Sequence, residues 1–445
     1  MQLNANRVLV PLREQYGREI VFRSRRAGAA LLEGWRDEGG WLVLLPWPEE
    51  TRTLAWSDVA AWHSFLRGIE ADVDRAGSAL DRDLQGAEKA PFMGGWAGFI
   101  SYEAMCTVED AEPRADAPAE PAAFFARHEA GILVSPSGEH FLFAREPEIE
   151  SYRLLLSAES TDTSPGLPPT LQPALHDSLG DGLHEQKVET IRELIRDGEV
   201  YQVNLTRAFT VEGSCETGAL YGALTGRRPP RSSAWIQGEG WTIASASPEV
   251  LLTMDRRTGV AESRPIKGTV RRRGDGRGEI SELLASEKDA AEHLMIVDVA
   301  RNDLGKVAPA GCVSVSEFRA VRSLEHLHHL ESTIRAEGLQ NMAVADVLRA
   351  LSPAASITGA PKRAAVHAIR EIEPAARGVY CGSIGFLTRE RAEFSVAIRT
   401  AVMTEQSVRY HAGGGIVWDS NGAAEDDECR VKAEAFLAYF GLENR

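Results

Sequence analysis

Cysteine is scarce in this chain, and long apolar runs are missing. Its five cysteines are scattered over 445 residues with no Cys-x-x-Cys pair, which argues against a disulfide framework or a zinc site. No stretch approaches the roughly 18 uninterrupted apolar residues of a membrane-spanning helix, and the first residues lack the apolar core of a signal peptide. We therefore expect a cytoplasmic protein with reduced thiols and no membrane partner.

Basic charge is also in deficit. Lys and Arg number 49 against 65 Asp and Glu, which gives a formal net charge of -16. Such a charge repels phosphate backbones, so we expect no nucleic-acid partner. The composition, 43% hydrophobic and 26% charged, is typical of a globular protein that buries a large core.

The chain divides into two regions in sequence. Residues 1–160 mix short strand-like runs with Ala-rich helical stretches, residues 161–173 form a predicted Pro-rich surface linker, and residues 174–445 form the second region. Predicted helices in the second region are 182–197, 281–303, 342–350, 360–372 and 424–440, and predicted strands are 200–211, 241–246, 250–254, 380–387, 394–403 and 407–411. They interleave without a regular βαβ period, so we predict a layered α+β fold.

Two pairs of acidic residues have helical spacing. Asp289 and Glu292 are three residues apart, as are Glu425 and Glu428, so each pair shares one face of a predicted helix. Carboxylate oxygens on two helices suit Mg²⁺, which takes one or two carboxylates together with water and substrate oxygens. Solvated acidic surfaces have the same spacing, so the pattern alone leaves both interpretations open.

Two glycine-bearing segments are candidates for anion binding. Residues 413–415 are three glycines after a predicted strand, where a ligand could approach the backbone amides. Residues 356–362, Ser-Ile-Thr-Gly-Ala-Pro-Lys, resemble a strand-to-helix turn that favours a carboxylate. Neither segment has the pattern of a nucleotide-binding loop, and a simple tight turn is the alternative for both.

Lys267 lies between Pro265-Ile266 and Gly268-Thr269. A lysine becomes a nucleophile when desolvation or a neighbouring cation lowers its pKa, and Arg264 and Arg271 are close in sequence. A surface lysine is the alternative.

The order of these motifs and their residues resemble those of the chorismate-utilising enzymes. This family includes the catalytic components of anthranilate and aminodeoxychorismate synthases. The resemblance is carried by 201–205 (YQVNL), 247–249 (SPE), 264–269 (RPIKGT), 287–292 (EKDAAE), 295–298 (MIVD), 301–305 (RNDLG), 358–362 (TGAPK), 377–382 (RGVYCG), 398–400 (IRT) and 413–417 (GGGIV). It covers roughly 250 residues strongly and extends more weakly to 94–103.

The resemblance implies a fold and a set of site residues. The fold is a four-layer αββα sandwich in which both regions of the chain are interwoven. Implied Mg²⁺ ligands are Glu292 and Glu428, supported by Asp289 and Glu425. Implied catalytic residues are Lys267 as nucleophile, Glu249 as general acid and His329 beside the departing hydroxyl. Implied substrate contacts come from Gln202, Gly268, Thr269, Ser356, Tyr380, Arg399, Gly413, Gly414, Gly415 and Lys432.

Enzymes of this family that catalyse different reactions carry different residues at two positions. Aminodeoxychorismate synthases typically carry lysine at position 267, where anthranilate synthases carry alanine. Isochorismate and salicylate synthases place a water-activating lysine where this chain has Gln202. The resemblance therefore implies amination of chorismate at C4, which would give 4-amino-4-deoxychorismate for 4-aminobenzoate and folate synthesis.

No glutaminase or lyase segment is recognised, so we expect a separate glutamine amidotransferase subunit to supply ammonia. Anthranilate synthase component I is the alternative enzyme, although residues 31–34 match only part of the Leu-Leu-Glu-Ser tryptophan-sensing motif. A non-catalytic, chorismate-binding regulatory subunit is the alternative of a different class.

Overall fold

Two large antiparallel sheets and the helices that cover them make up the computed structural model. It describes residues 7–24, 26–35, 40–75, 90–112, 114, 116–159, 174–180, 182–272, 277–323 and 327–442. The predicted linker, 161–173, lies outside these residues. Among the helices that the structure describes, none combines the length and the apolar character needed to cross a membrane.

The first sheet has twelve strands in the described part of the chain. Its strands are β1 (Arg7–Pro11), β2 (Ala30–Trp35), β3 (Trp41–Leu45), β7 (Gly131–Val134), β8 (His140–Arg145), β9 (Leu175–Asp177), β10 (Gln202–Glu212), β11 (Ser233–Gln237), β12 (Trp241–Ala246), β18 (Gly359–Ala360), β21 (Thr400–Thr404) and β22 (Ser407–Ile416). The order along the sheet is β1-β8-β7-β3-β2-β11-β12-β21-β22-β10-β18, and β9 also pairs with β10.

The second sheet has ten described strands. They are β4 (Glu50–Leu54), β5 (Gly95–Ile100), β6 (Ala123–His128), β13 (Val250–Asp255), β14 (Val260–Arg264), β15 (Ile266–Arg271), β16 (Val313–Ser323), β17 (Leu327–Ala336), β19 (Ser383–Leu387) and β20 (Arg391–Val396). The order is β15-β17-β14-β13-β20-β19-β5-β6-β4, with β16 paired to β17.

Helices cover the outer faces of both sheets. The α-helices are α1 (Glu19–Phe22), α2 (Trp62–Arg75), α3 (Tyr102–Cys106), α4 (Ile149–Glu159), α5 (Leu183–Arg196), α6 (Thr217–Thr225), α7 (Arg277–Ala285), α8 (Glu287–Gly305), α9 (Val344–Leu351), α10 (Lys362–Ile372) and α11 (Gly422–Tyr439). Short 3₁₀ helices occupy Trp56–Ala61, Thr107–Glu109, Glu146–Glu148 and Ala355–Ile357.

Three apolar clusters define the layers. The middle cluster joins Leu32 and Val43 of the first sheet to Phe99 and Phe386 of the second, so the two sheets face each other. A second cluster packs α6 and α11 on the first sheet, and a third packs α2 and α9 on the second. These layers confirm the predicted α+β class and its αββα arrangement.

Strands from both regions of the chain share both sheets. In the first sheet β2 pairs with β11, with Leu32 opposite Ala234. In the second sheet β5 pairs with β19, with Gly98 opposite Gly385. The N-terminal strands therefore form part of the same sheets as the strands that carry the motifs.

Four predicted elements were wrong in extent. The strand predicted at 380–387 begins only at Ser383, because residues 380–382 form a turn. The single strand predicted at 394–403 is two strands, because Arg399 between them has a left-handed φ of 50°. The single helix at 281–303 is two helices, because the Ser286 side chain caps α8 by accepting a hydrogen bond from the Asp289 amide. The strand predicted at 407–411 continues to Ile416 through the three glycines.

Candidate active site

Lys267 lies on β15 and its ammonium group meets a carboxylate of α8. The distance from Lys267 Nζ to Glu292 Oε2 is 2.7 Å, and the two side chains are only 18% and 9% exposed. The lysine therefore points into the protein rather than into solvent. Gly268, the next residue, has φ +87°, and a Cβ there would lie 3.4 Å from Asp289 Cβ and Cγ, so this turn of β15 packs directly on α8.

The three glycines form a regular part of β22 instead of a turn. Gly413, Gly414 and Gly415 pair with residues 204–206 of β10. A Cβ added to Gly415 would lie 2.8 Å from Lys267 Nζ and 2.9 Å from Gln202 Nε2, so the missing side chain leaves room for both groups. A Cβ added to Gly414 would meet the side chains of α11 instead.

Gln202 is buried at the start of β10. Neither its amide nitrogen nor its amide oxygen has a hydrogen-bond partner within the described chain. An unsatisfied buried amide costs free energy of about 1–3 kcal/mol, which a ligand could recover by pairing with it. Together with Lys267 and Gly415 it marks a polar position ready to receive a ligand.

Side chains of α11 face the same region. Lys432 Nζ lies 2.7 Å from Glu428 Oε1 and donates to the Gly413 carbonyl at 2.8 Å. The Lys432 ammonium lowers the pKa of Glu428, which keeps this carboxylate ionised. Glu425 is buried and accepts a hydrogen bond from Ser420 Oγ at 2.7 Å.

The four acidic residues predicted as metal ligands lie on α8 and α11. No three His, Cys, Asp or Glu side chains of the described chain converge as a ready metal site. Lys288 provides a test of fit, because its ammonium lies 3.9 Å from both Glu292 Oε1 and Glu425 Oε1. A cation already stands between carboxylates of the two helices. This donor set fits Mg²⁺, which needs only one or two protein carboxylates.

Glu249 and Ser356 come from distant parts of the sequence and form one hydrogen bond. Ser356 Oγ donates to Glu249 Oε1 at 2.5 Å. Burial raises the pKa of Glu249 to about 7; hydrogen bonds from Ser356 and the Ile266 amide oppose this shift, and the Glu331 carboxylate adds to it. The group can therefore hold or release a proton near neutral pH.

Three further predicted residues lie on neighbouring strands and turns. His329 pairs with Thr269 across β17 and β15, and burial lowers the pKa of His329 to about 4, so its ring is neutral at pH 7. Tyr380 is buried and stacks on His411, with ring centroids 5.2 Å apart. Thr269 is exposed.

Arg399 is a desolvated cation in this region. Burial lowers the pKa of its guanidinium, and the nearby Tyr410 opposes that shift. No carboxylate in the described ranges forms an ion pair with it. A partly buried guanidinium of this kind favours an anionic ligand, which it can hold through paired donors.

A buried ion pair, Arg377 with Glu373, connects two of the elements that carry site residues. Arg377 Nη2 lies 2.7 Å from Glu373 Oε1, with the two side chains 1% and 4% exposed. The same guanidinium donates at 2.8 Å to the carbonyls of Asn204 and Ile357. It thereby ties β10 to the 3₁₀ turn that carries Ser356.

Sequence reasoning missed His293, Ser332 and Lys288. His293 follows Glu292 directly on α8, and its ring contacts Ser332 Oγ at 2.6 Å and the Lys267 carbonyl at 3.0 Å. Ser332 lies only three residues after His329 in the sequence, but its pairing with His293 joins residues 39 apart. Lys288 lies inside the acidic motif, where only the carboxylates were considered.

A family model described as chorismate binding enzyme matches residues 49–438, which is most of the chain. Aminodeoxychorismate synthase component 1 of Klebsiella aerogenes is 34% identical over 352 residues, covering 78% of this chain and 77% of the relative. Anthranilate synthase component 1 of Saccharolobus solfataricus is 36% identical over 263 residues, covering 58% of this chain and 62% of the relative, less than two thirds of its length.

A solved structure shares the fold. The crystal structure of anthranilate synthase component I from Streptococcus pneumoniae superposes with a TM-score of 0.76 at 23% identity, covering 91% of this chain and 93% of the other. At this identity the likeness extends to the fold alone.

Proposed function

The chain belongs to the chorismate binding enzyme family, and from that membership we propose that it is an aminodeoxychorismate synthase component I. The reaction would convert chorismate and ammonia to 4-amino-4-deoxychorismate. The observation that carries the choice is Lys267, whose ammonium is held 2.7 Å from Glu292 inside the site. Anthranilate synthases typically have alanine at this position, so the lysine supports amination at C4.

The Lys267 ammonium must first release a proton to solvent, and the neutral amine is then the nucleophile in this proposal. It forms a C–N bond at ring C2, the ring double bonds shift, and the C4–O bond breaks. Ammonia then forms a C–N bond at C4, the double bonds shift back, and the C2–N bond to Lys267 breaks. The enzyme is regenerated, and one hydroxyl has been replaced by one amino group.

Glu249 supplies the proton that the leaving hydroxyl needs. Hydroxide is a poor leaving group, and protonation lets it depart as water. The pKa of Glu249, raised by burial to about 7, keeps a substantial fraction of this acid protonated at neutral pH. His329 lies near Arg399, and its neutral ring would steady the departing oxygen.

Anion binding would come from both ends of the site. Arg399 and Tyr380 would hold the enolpyruvyl carboxylate, and Ser356, Lys432 and the amides of 413–415 would complete the anion pocket. Gln202, Gly268 and Thr269 would line the ring.

Glu292 and Glu428 would hold Mg²⁺, with Asp289 and Glu425 as their supports. Magnesium, when bound, would neutralise the ring carboxylate of the substrate. The cation already lying between Glu292 and Glu425, the Lys288 ammonium, is what supports this assignment.

The product identifies the reaction. The protein is incubated with chorismate, Mg²⁺ and ammonium at alkaline pH, and a separate aminodeoxychorismate lyase is then added. We expect 4-aminobenzoate; fluorescent anthranilate without 4-aminobenzoate would overturn the proposal. Addition of a glutamine amidotransferase subunit with glutamine should replace ammonium, because ammonia is expected from such a partner.

Lys267→Ala tests the nucleophile. We expect loss of most activity, since the variant lacks the amine that forms the covalent bond to ring C2. Lys306→Ala is the matched control, because Lys306 pairs with Asp303 at 2.8 Å and its side chain is 54% exposed outside the site. Equal rates in the Lys267 variant and the unchanged protein would reject covalent catalysis.

Anthranilate synthase component I is the second candidate, because relatives with that name reach 36% identity. It predicts anthranilate as the product and inhibition by low concentrations of tryptophan. Both can be read in the same assay by fluorescence, without added lyase.

A further inference from the structure

β15 contains a bulge at the lysine. Ile266 lies opposite Glu331 of β17, whereas Thr269 lies opposite His329, so one extra residue is inserted between these two pairs. Lys267 and Gly268 occupy the insertion, and the positive φ of Gly268 turns the chain there. A bulge redirects side chains relative to a regular strand, and here it sets the direction of Lys267.

The Lys267 carbonyl contacts a side chain of α8. His293 Nδ1 lies 3.0 Å from this carbonyl oxygen. Because a carbonyl oxygen only accepts hydrogen bonds, Nδ1 must carry the proton. The other ring nitrogen, Nε2, lies 2.6 Å from Ser332 Oγ.

Ser332 is itself fixed from a third strand. Its hydroxyl oxygen accepts a hydrogen bond from the Arg319 amide of β16 at 2.9 Å. Arg319 has a left-handed φ of 53°, which aims this amide out of its own strand. Phe318 adds an edge-on ring contact to His293 at 5.8 Å between centroids. The imidazole is thus held at both nitrogens and is also in contact with the ring of Phe318.

Two adjacent residues of α8 therefore hold the two ends of Lys267. Glu292 contacts its ammonium, and His293 contacts its carbonyl. If residue 293 could not donate a hydrogen bond to the Lys267 carbonyl, the bulge would be held only by the pairing of β15 with β17. Lys267 would then lose the hydrogen bond that fixes the position of its peptide group relative to α8.

We propose that His293 is a positioning residue for Lys267, acting through the Arg319–Ser332–His293–Lys267 hydrogen-bond chain. The inference rests on the proposed function, since it assigns the lysine the role of nucleophile. His293 does not touch the reacting atoms in this assignment. It fixes the peptide from which the attacking amine extends, and misplacement of a nucleophile by about 1 Å can cost roughly a hundredfold in rate.

Two amide substitutions separate the two ring nitrogens of His293. Asparagine places its NH₂ close to the position of Nδ1, so His293→Asn can still donate to the Lys267 carbonyl. Glutamine places its amide close to Nε2, so His293→Gln keeps the side toward Ser332 and loses the donor to Lys267. Both variants replace the ring by a neutral amide.

Steady-state kinetics with chorismate and ammonium provide the test. We expect kcat of His293→Gln to fall by roughly tenfold to a hundredfold while KM for chorismate stays within about twofold. We expect His293→Asn to keep kcat within about threefold of the unchanged protein. Equal losses in the two variants, or a loss confined to KM, would overturn the proposal.

Ser332→Ala provides a second test of the positioning role, for the case that His293→Gln does not fold. It leaves His293 in place and removes the hydroxyl at Nε2, and kcat should fall by about threefold to tenfold, as expected for the loss of one neutral hydrogen bond. An unchanged kcat in Ser332→Ala would overturn the proposal.

Two controls separate local and general effects. His367→Asn removes another histidine bond to a backbone carbonyl, 3.2 Å from His367 Nε2 to Glu109 O, and should leave kcat unchanged. Lys267→Ala, assayed alongside, reports on the nucleophile: full activity in this variant would reject covalent catalysis by Lys267, on which the positioning role rests. An inactive Lys267 variant with a fully active His293→Gln would reject only the positioning role.

Discussion

Ser356→Ala should widen the pH range of activity on its alkaline side. Ser356 Oγ donates a hydrogen bond to the carboxylate of Glu249, and this bond favours the ionised form. Burial acts in the opposite direction and dominates, which places the pKa of Glu249 at about 7. Removal of the hydroxyl leaves burial less opposed, so the pKa of Glu249 must rise.

The size of the shift follows from the hydrogen bond. A hydrogen bond to a charged group contributes about 1.5–3 kcal/mol, and one pKa unit corresponds to about 1.4 kcal/mol. Glu249 is only 4% exposed, so solvent screening does not reduce this estimate much. We expect the pKa of Glu249 to rise by about 1–2 units in the variant. As a general acid it acts in the protonated form, so kcat falls above the pKa, and this fall should move upward by the same interval.

The assay is kcat against pH, from about pH 6 to about pH 10, at saturating chorismate and with the product read directly. Ser352→Ala is the matched control, because Ser352 Oγ donates to the Leu348 carbonyl at 2.6 Å and the bond does not involve Glu249. A downward shift of the alkaline limb in Ser356→Ala, or no shift at all, would refute the assignment of Glu249 as the acid.

Three other perturbations test separate parts of the site. Arg399→Lys keeps the charge but loses the paired donors, so KM for chorismate should rise by about tenfold in steady-state kinetics, and an unchanged KM would exclude substrate binding by this residue. Lys288→Met removes an ammonium that lies 3.9 Å from two carboxylates, and one unit charge at that distance in water contributes about 1 kcal/mol. Calorimetry should therefore show roughly fivefold tighter Mg²⁺ binding, and weaker binding would contradict the proposed metal position. Arg377→Met leaves the Glu373 carboxylate buried without the arginine that pairs with it, so the free energy of unfolding measured in urea should fall by about 3–5 kcal/mol. A loss below about 1 kcal/mol would show that the ion pair contributes little to stability.

Strand positions were predictable where apolar runs have clear boundaries. The predicted strand at 241–246 coincides with β12, and one of the strand-like runs of the first region, WLVLL at 41–45, coincides with β3. Each is a short apolar segment next to turn residues. The run at 394–403 also looks continuous, but Arg399 adopts a left-handed φ that breaks it. Nothing in a β-branched segment signals such a break, because a left-handed φ at an arginine is set by the surrounding fold and not by the local sequence.

The helix boundary at Ser286 could have been found. Ser286 is followed three residues later by Asp289, which is a helix-start pattern, and the structure has Ser286 as the cap of α8. The periodic apolar pattern on either side hid it. Local capping chemistry was a better guide there than periodicity.

Site residues were predictable only as motif members. The motifs singled out Lys267 and Glu292, and the structure brings their side chains to 2.7 Å. The contact of Ser356 with Glu249 spans 107 residues, and neither spacing nor composition indicates it. His293 was passed over because its role depends on a bulge in β15, which is a property of strand register and not of the local sequence.

The interleaved strand order also governs how the protein can be made. β2 (Ala30–Trp35) has β11 (Ser233–Gln237) as a neighbour, and β10 is completed only by β22 (Ser407–Ile416). During ribosomal synthesis the early strands therefore emerge long before their partners and keep open, hydrogen-bonding edges. The nascent chain is exposed to pairing with other chains until its last strand leaves the ribosome, so its yield in cells should depend on translation rate and on chaperones that cover strand edges.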